Sequence, residues 1–249
     1  MTIEPVGVLR SCLGDKFAVP RQPGLCPSTW GELVFFPEFR SLEAVRGLDG
    51  FSHVWLLFHF DRVADEGWRP TVRPPRLGGN ERVGVFASRS PFRPNGIGLS
   101  VARLDGIDRK RPDAPVLLLG GLDLADGTPV LDVKPYLAWC DAVPEARGGF
   151  ATEQPTPLTV AVDPGAHDSF TALPTRAQAA IRECLAQDPR PAIHRDNPQR
   201  TYGALLCGHN VRFRVTDDVC HILAIEISAT TPPPPPPFDP PANHQHGPT

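Results

Sequence analysis

No stretch of the 249 residues approaches the run of ~18 apolar positions that a membrane span needs. The first residues also lack the charged segment and apolar core that direct secretion, so the expectation is a soluble, cytoplasmic chain without a membrane partner. The six cysteines (Cys12, Cys26, Cys140, Cys184, Cys207 and Cys220) form no CxxC pair and no zinc-ligand spacing. They read as reduced, mostly structural thiols. There is no P-loop, no GxSxG elbow and no reactive-cysteine setting, which removes support for nucleotide hydrolysis and nucleophilic hydrolysis. Gly96 and Gly98 make a GxG, but the next glycine of a dinucleotide fingerprint would fall on Val101 and no crossover helix follows. His53 and His59, six apart in an apolar run, could share a face. Lacking a third ligand, they read as a packed or hydrogen-bonded pair, and no metal is expected.

Lysine is scarce, with 3 residues against 22 arginines, and the net charge is -3. A chain that coats nucleic acid indiscriminately is thereby disfavoured, yet the average hides an uneven distribution. Residues 62–111 carry ten Arg and one Lys against five acids, a local charge of +6.

What is abundant is proline, 31 residues, alongside 41% hydrophobic content and few long helical patterns. This combination points to a mainly β, loop-rich architecture. Strands are expected at Ile3 to Leu9, Gly31 to Phe36, and over residues 51–60, 83–88, 98–107, 115–124 and 129–136. The run FSHVWLLFHF (51–60) is apolar almost throughout, as for a strand buried on both faces. Regular spacing without alternating long helices argues for a barrel or a sandwich. A first domain over 1–150 ends before the TEQPTP stretch. A second, over 155–229, is a small α+β unit: a helix over 175–188, with Ala177, Ala180, Ile181, Cys184 and Leu185 on one face, then strands at 202–207, 211–215 and 219–227. Residues 230–249, TTPPPPPPFDPPANHQHGPT, form a proline-rich tail that cannot bury a core.

Four polar motifs sit at strand ends in the first domain: VPRQPG (19–24), RPTVRPPRLGGN (69–80), SRSPFRPNGIG (88–98) and DLADGTPVLDVKPY (123–136). In the third, prolines and glycines should present Arg89 and Arg93 on a stiff rim, as a clamp for a carboxylate or phosphate or as solvated turn residues. In the fourth, Asp132, Lys134 and Tyr136 fall on one face of a period-2 strand, either as an acid, a base and a phenol serving chemistry or as a surface ion pair beside a packing tyrosine.

With these residues in view, the chain resembles the TsaA/TrmO family of S-adenosylmethionine-dependent tRNA methyltransferases, which act on N6-threonylcarbamoyladenosine at position 37. The matching stretches are FAVPRQPG, AVRGL, GFSHVWLLF, RPTVRPPRLGGN, VGVFASRSPFRPN, IGLS, LDLADGTPVLDVKPY, LAQDPRP and YG, spread to about Ile227. The resemblance implies a single-sheet β-barrel that binds S-adenosyl-L-methionine, a homodimer, and a C-terminal domain that helps hold tRNA. By motif, it places Pro20, Arg21, Gln22, Phe60, Asp61, Arg89, Leu99, Gly121, Leu122, Asp123, Leu124 and Asp126 around the cofactor. Two departures stand out: Gly96 where the family usually has proline, expected to loosen the loop, and Asp61 where a histidine commonly ends the long strand. On this reading Tyr136 and Asp132 are candidates to deprotonate or orient the poorly nucleophilic acceptor nitrogen, with Lys134 stabilising developing charge. Arg93 could take the threonyl carboxylate; Arg190, Arg195, Arg200, Arg212 and Arg214 could meet tRNA phosphates. The rival readings are a non-catalytic anion- or RNA-binding barrel and a methyltransferase for a small molecule.

Overall fold

The structure is a computed structural model that describes residues 2–79, 81–191 and 197–228. Arg195 and the proline-rich tail over 230–249 lie outside the described residues. The first half of the chain runs through β1 (Gly7–Ser11), β2 (Trp30–Phe35) and β3 (His53–His59), then a short ribbon of β4 (Thr71–Val72) and β5 (Val83–Gly84), then β6 (Ile97–Asp108), β7 (Val116–Gly120) and β8 (Pro129–Pro135). Six of these close into an antiparallel barrel in the order β1-β2-β7-β6-β3-β8. The mainly β expectation therefore resolves to a barrel, with one sheet closed on itself.

Alternation explains the barrel interior. Along β3, Val54, Leu56 and Phe58 are buried while His53, Trp55, Leu57 and His59 are half-exposed. The expectation of a strand buried on both faces is corrected: only the inner face lies in the core, with Leu9, Leu33, Ala102, Leu117, Leu119 and Val130. The apolar outer residues mimic two-sided burial in the sequence. Facing Phe58 across the ladder is Gly98, where a Cβ would run into the Phe58 ring. A second correction concerns residues 83–88. Only Val83 and Gly84 pair, with Val72 and Thr71, before the chain turns into a 3-10 segment at Val85–Ala87 that leaves Phe86 exposed.

The second half contains α1 (Ala138–Asp141), β9 (Thr159–Val162), α2 (His167–Thr171), α3 (Thr175–Ala186), β10 (Tyr202–Leu206), β11 (His209–Thr216) and β12 (Val219–Ile227). Its sheet has the order β10-β11-β12-β9, and β9, which sequence reasoning missed, runs parallel to β12. The helix face expected from periodicity is the one observed: Ala177, Ala180, Ile181, Cys184 and Leu185 pack on Val211, Phe213, Val215 and Ile222. Cys12, Leu13, Cys26 and Trp30 from the first half belong to the same core. Backbone bonds join the halves as well, with Gly14 N donating to Leu205 O (3.0 Å), Cys207 N donating to Cys12 O (2.7 Å), and a bridge pairing Leu13 with Leu206. No helix among the described residues is long and apolar enough to cross a membrane.

One-sided burial of β3 predicts unequal costs for two adjacent leucines. Leu56→Ala should destabilise the protein by about 2–5 kcal/mol, and Leu57→Ala by less than half as much, read from the midpoints of urea unfolding.

Candidate functional site

A cavity of about 500 Å³ opens at one mouth of the barrel, between segments 19–22, 58–63, 88–99 and 123–125. Its size suits a small molecule, and its walls are largely apolar, with Val19, Phe58, Phe60, Ile97, Leu99 and Leu124 among them. Phe58 and Phe60 meet edge to face at 4.9 Å between ring centres.

The arginine loop is held by its own residues. Arg93 turns inward, its Nη1 donating to Ser88 O (2.7 Å) and Val85 O (3.2 Å), while Ser88 Oγ donates to Val85 O. Arg93 therefore lines the cavity as a staple of the loop. Arg89 stays exposed and reaches across the mouth, its Nη1 donating to Gln22 Oε1 at 2.7 Å. The loosening expected at Gly96 does not appear. Gly96 has φ +60, which proline cannot adopt, and two bonds bracket it: Gly96 N to Arg93 O (3.2 Å) and Phe60 N to Gly96 O (2.7 Å). Asp61, just past β3, is exposed at the cavity rim.

Facing Arg89 is Asp123. Burial pushes its carboxyl up to about 6, against the hydrogen bond from Ser100 Oγ and the charge of Arg89, which pull it down. A desolvated carboxylate opposite an exposed guanidinium, with apolar walls between, suits a ligand that carries both charges.

The expected cofactor residues divide into two groups. Pro20, Arg21, Gln22, Phe60, Asp61, Arg89, Leu99, Asp123 and Leu124 line the cavity. Gly121, Leu122 and Asp126 do not line it. Gly121 makes the turn at φ +67, Leu122 is buried in the barrel core, and Asp126 is turned to β1, accepting from Ser11 N at 2.8 Å and pairing with Arg10.

The candidate catalytic trio lies apart from the cavity. Asp132 and Lys134 do share a face and form an ion pair of 2.8 Å, but that face is the outer wall of the barrel. A bulge in the β3-β8 ladder sets Val130 opposite inward Phe58 and Asp132 opposite outward Leu57, reversing the alternation within β8. Tyr136 follows on the same side and packs on Trp55 (5.5 Å) and His53 (6.3 Å). None of the three lines the cavity, although Trp55 does.

Among the arginines expected to meet tRNA, Arg190 is held inside the fold. It is only 7% exposed and gripped by Asp188 through Nε (2.7 Å) and Nη2 (3.1 Å), so it neutralises a neighbour inside the fold. Arg212 is exposed on β11, Arg214 is half-buried beside it, and Arg200 is exposed with its guanidinium over the Tyr202 ring.

Comparison with known proteins places this geometry. The family model for the tRNA-methyltransferase O N-terminal domain matches residues 8–142, and that for the TrmO C-terminal domain matches 155–228. The chain belongs to the TrmO family. It is 47% identical over 228 residues to the tRNA (adenine(37)-N6)-methyltransferase of Escherichia coli (strain K12), covering 90% of this chain and 97% of that one. It is also 47% identical over 209 residues to a putative S-adenosylmethionine-dependent methyltransferase, RcsF, of Pseudomonas aeruginosa, covering 82% and 88% respectively. The crystal structure of TrmO from Pseudomonas aeruginosa superposes with a TM-score of 0.74 at 39% identity, over 90% of this chain and 97% of that one.

The raised carboxyl of Asp123 gives a test that needs no ligand. With its folded value near 6 against an ordinary 3.8, the native state holds the proton more tightly than the unfolded chain. Stability therefore falls as pH rises through that window, and the cost persists above it. Asp123→Asn, which keeps an acceptor for Ser100, should raise the melting temperature at about pH 8 and lose that gain by about pH 4. An equal shift at both pH values would contradict the assignment.

Proposed function

We propose that this protein transfers a methyl group from S-adenosyl-L-methionine to N6 of adenosine-37 in tRNA, acting on the base in its threonylcarbamoyl form, with the barrel-mouth cavity as the cofactor site. The observation that carries the reading is the pairing of Arg89 and Asp123 across an apolar cavity. S-adenosylmethionine brings a carboxylate, an ammonium and a sulfonium on an adenosyl body, and the residues present fit that charge pattern. Bound there, it would supply an electrophilic methyl group.

The protein's own part is chiefly placement. Arg89, with Gln22 beside it, takes the carboxylate; Asp123 faces the cationic end; Phe58, Phe60 and Leu124 exclude water from the adenosyl body. Because methyl transfer is an in-line displacement, holding donor and acceptor in register can supply most of the acceleration. Arg93, in the same cavity, is the candidate for the threonyl carboxylate. Exposed Arg200 and Arg212, with the arginines of segment 69–82, would meet tRNA phosphates, and Arg214 would add to that face.

The reading includes a homodimer. Trp55 and Leu57 of β3 and Leu99 of β6 project outward together, and Leu99 is 53% exposed. A second copy covering this face would form a seam bordered by Asp132, Lys134 and Tyr136, and a part for them in proton removal holds only at such a seam.

The decisive experiment offers labelled S-adenosylmethionine and tRNA with or without the threonylcarbamoyl group. Transfer to the modified tRNA alone is expected. Equal transfer to both would overturn recognition of the threonyl carboxylate, and transfer to neither would overturn the enzymatic reading. Calorimetry should show Arg89→Ala weakening S-adenosylmethionine binding by roughly tenfold or more, the size of a lost charged hydrogen bond.

A further inference from the structure

Two of the segments that line the cavity, 19–22 and 123–125, are loops, and both hang on one turn. Thr29 N donates to Cys26 O (3.1 Å), and the Thr29 hydroxyl bridges Cys26 O (2.8 Å) and Leu122 O (2.9 Å). Gly121 N donates to Thr29 O (3.0 Å), and Gly24 N donates to Gly121 O (3.5 Å). The roots of both loops are thereby tied to residues 26–29.

From the other half of the chain, α3 grips the same turn. Arg176 Nε donates to Ser28 O (3.0 Å), and its Nη2 donates to Thr29 O (3.2 Å) and to Asp105 Oδ2 (3.0 Å). Glu183 lies seven residues on, along the same helix face, and accepts from Ser28 N (2.8 Å) and Ser28 Oγ (2.7 Å). Apolar contacts already join the halves, through Trp30 and the α3 core face. Buried ionic groups add little net stability over such packing, whereas directional bonds fix an orientation that packing leaves loose.

The geometry points to Arg176 and Glu183 as positioning residues for cofactor binding: from the C-terminal half they set Ser28 and Thr29, and through Thr29 and Gly121–Leu122 they set Asp123 and Leu124 in the cavity. The inference rests on the reading of that cavity as the S-adenosylmethionine site. Neither residue lines the cavity itself; Arg176 acts on Ser28 and Thr29, and Glu183 acts on Ser28, the residue before Thr29.

The test is calorimetric titration of the full chain with S-adenosylmethionine, paired with KM and kcat for both substrates and with melting temperatures. Thr29→Val removes the hydroxyl bridge and keeps the shape, and should weaken S-adenosylmethionine binding roughly 5- to 30-fold while leaving the KM for tRNA within about twofold. Glu183→Gln should act in the same direction, and Thr29→Ser should restore binding. A lesion of stability alone would reduce the active fraction, and so kcat, without moving the affinity of the molecules that remain folded. Wild-type affinity in folded Thr29→Val and Glu183→Gln, or a loss confined to the KM for tRNA, overturns the inference. If Thr29→Val does not fold, Ser28→Ala carries the test, with a smaller loss of S-adenosylmethionine affinity expected and unchanged affinity overturning it. Arg89→Ala separates the two levels. A loss there with none in the turn variants overturns the positioning role alone, whereas no loss there overturns the cavity assignment and this inference with it.

Discussion

A guanidinium buried between two folding units must be both neutralised and saturated with acceptors, and the side chain of Arg176 is only 4% exposed. Burial drives its pKa below the ordinary arginine value, while Asp105 opposes that shift. Asp105 is shared with Arg103, whose Nε donates to Oδ1 at 2.6 Å and whose Nη1 donates to Pro27 O at 3.3 Å. Strand β6, the turn at 26–29 and helix α3 thus have to arrive in one arrangement, because losing any partner strands a desolvated charge at a cost of about 3–5 kcal/mol. The barrel and the second sheet are consequently locked in orientation by a charge network and in position by a shared apolar core.

Much of this fold is legible in the residues. Alternation locates the barrel strands to within a few positions, and the 3.6-residue period gives the buried face of α3 correctly, since both depend on local pattern alone. The outer wall of the barrel is not legible, because Trp55, Leu57 and Leu99 are apolar without being in the core. Residues 83–88 misled for a related reason: their composition suits a strand, but a strand needs a partner, and only Val72 and Thr71 are in reach.

The site shows the same division. The loops that line the cavity are those the motif resemblance singles out, and most of the residues it nominates line that one cavity. The trio on β8 does not, because a one-residue bulge sends Asp132 and Lys134 outward, and nothing in the local sequence marks which pair of strands will carry the extra residue. Arg93 and Arg190 illustrate a further limit. Sequence marks them as cations; it does not say that backbone carbonyls already hold Nη1 of Arg93 or that Asp188 grips Arg190. Gly96 runs the opposite way: what looks like slack is a left-handed turn closed by two hydrogen bonds.

A sheet closed on itself exposes no row of unpaired amides, but the four-stranded sheet has β10 at one border. The segment Cys12–Gly14 lies along that border, exchanging backbone bonds with Leu205 and Cys207 and bridging Leu206. The barrel thus lends its neighbour a partial extra strand, which blocks the part of the edge where a foreign chain could add by β-augmentation. Protection from aggregation at this edge is a property of the joined molecule, and a C-terminal half expressed alone would present β10 bare.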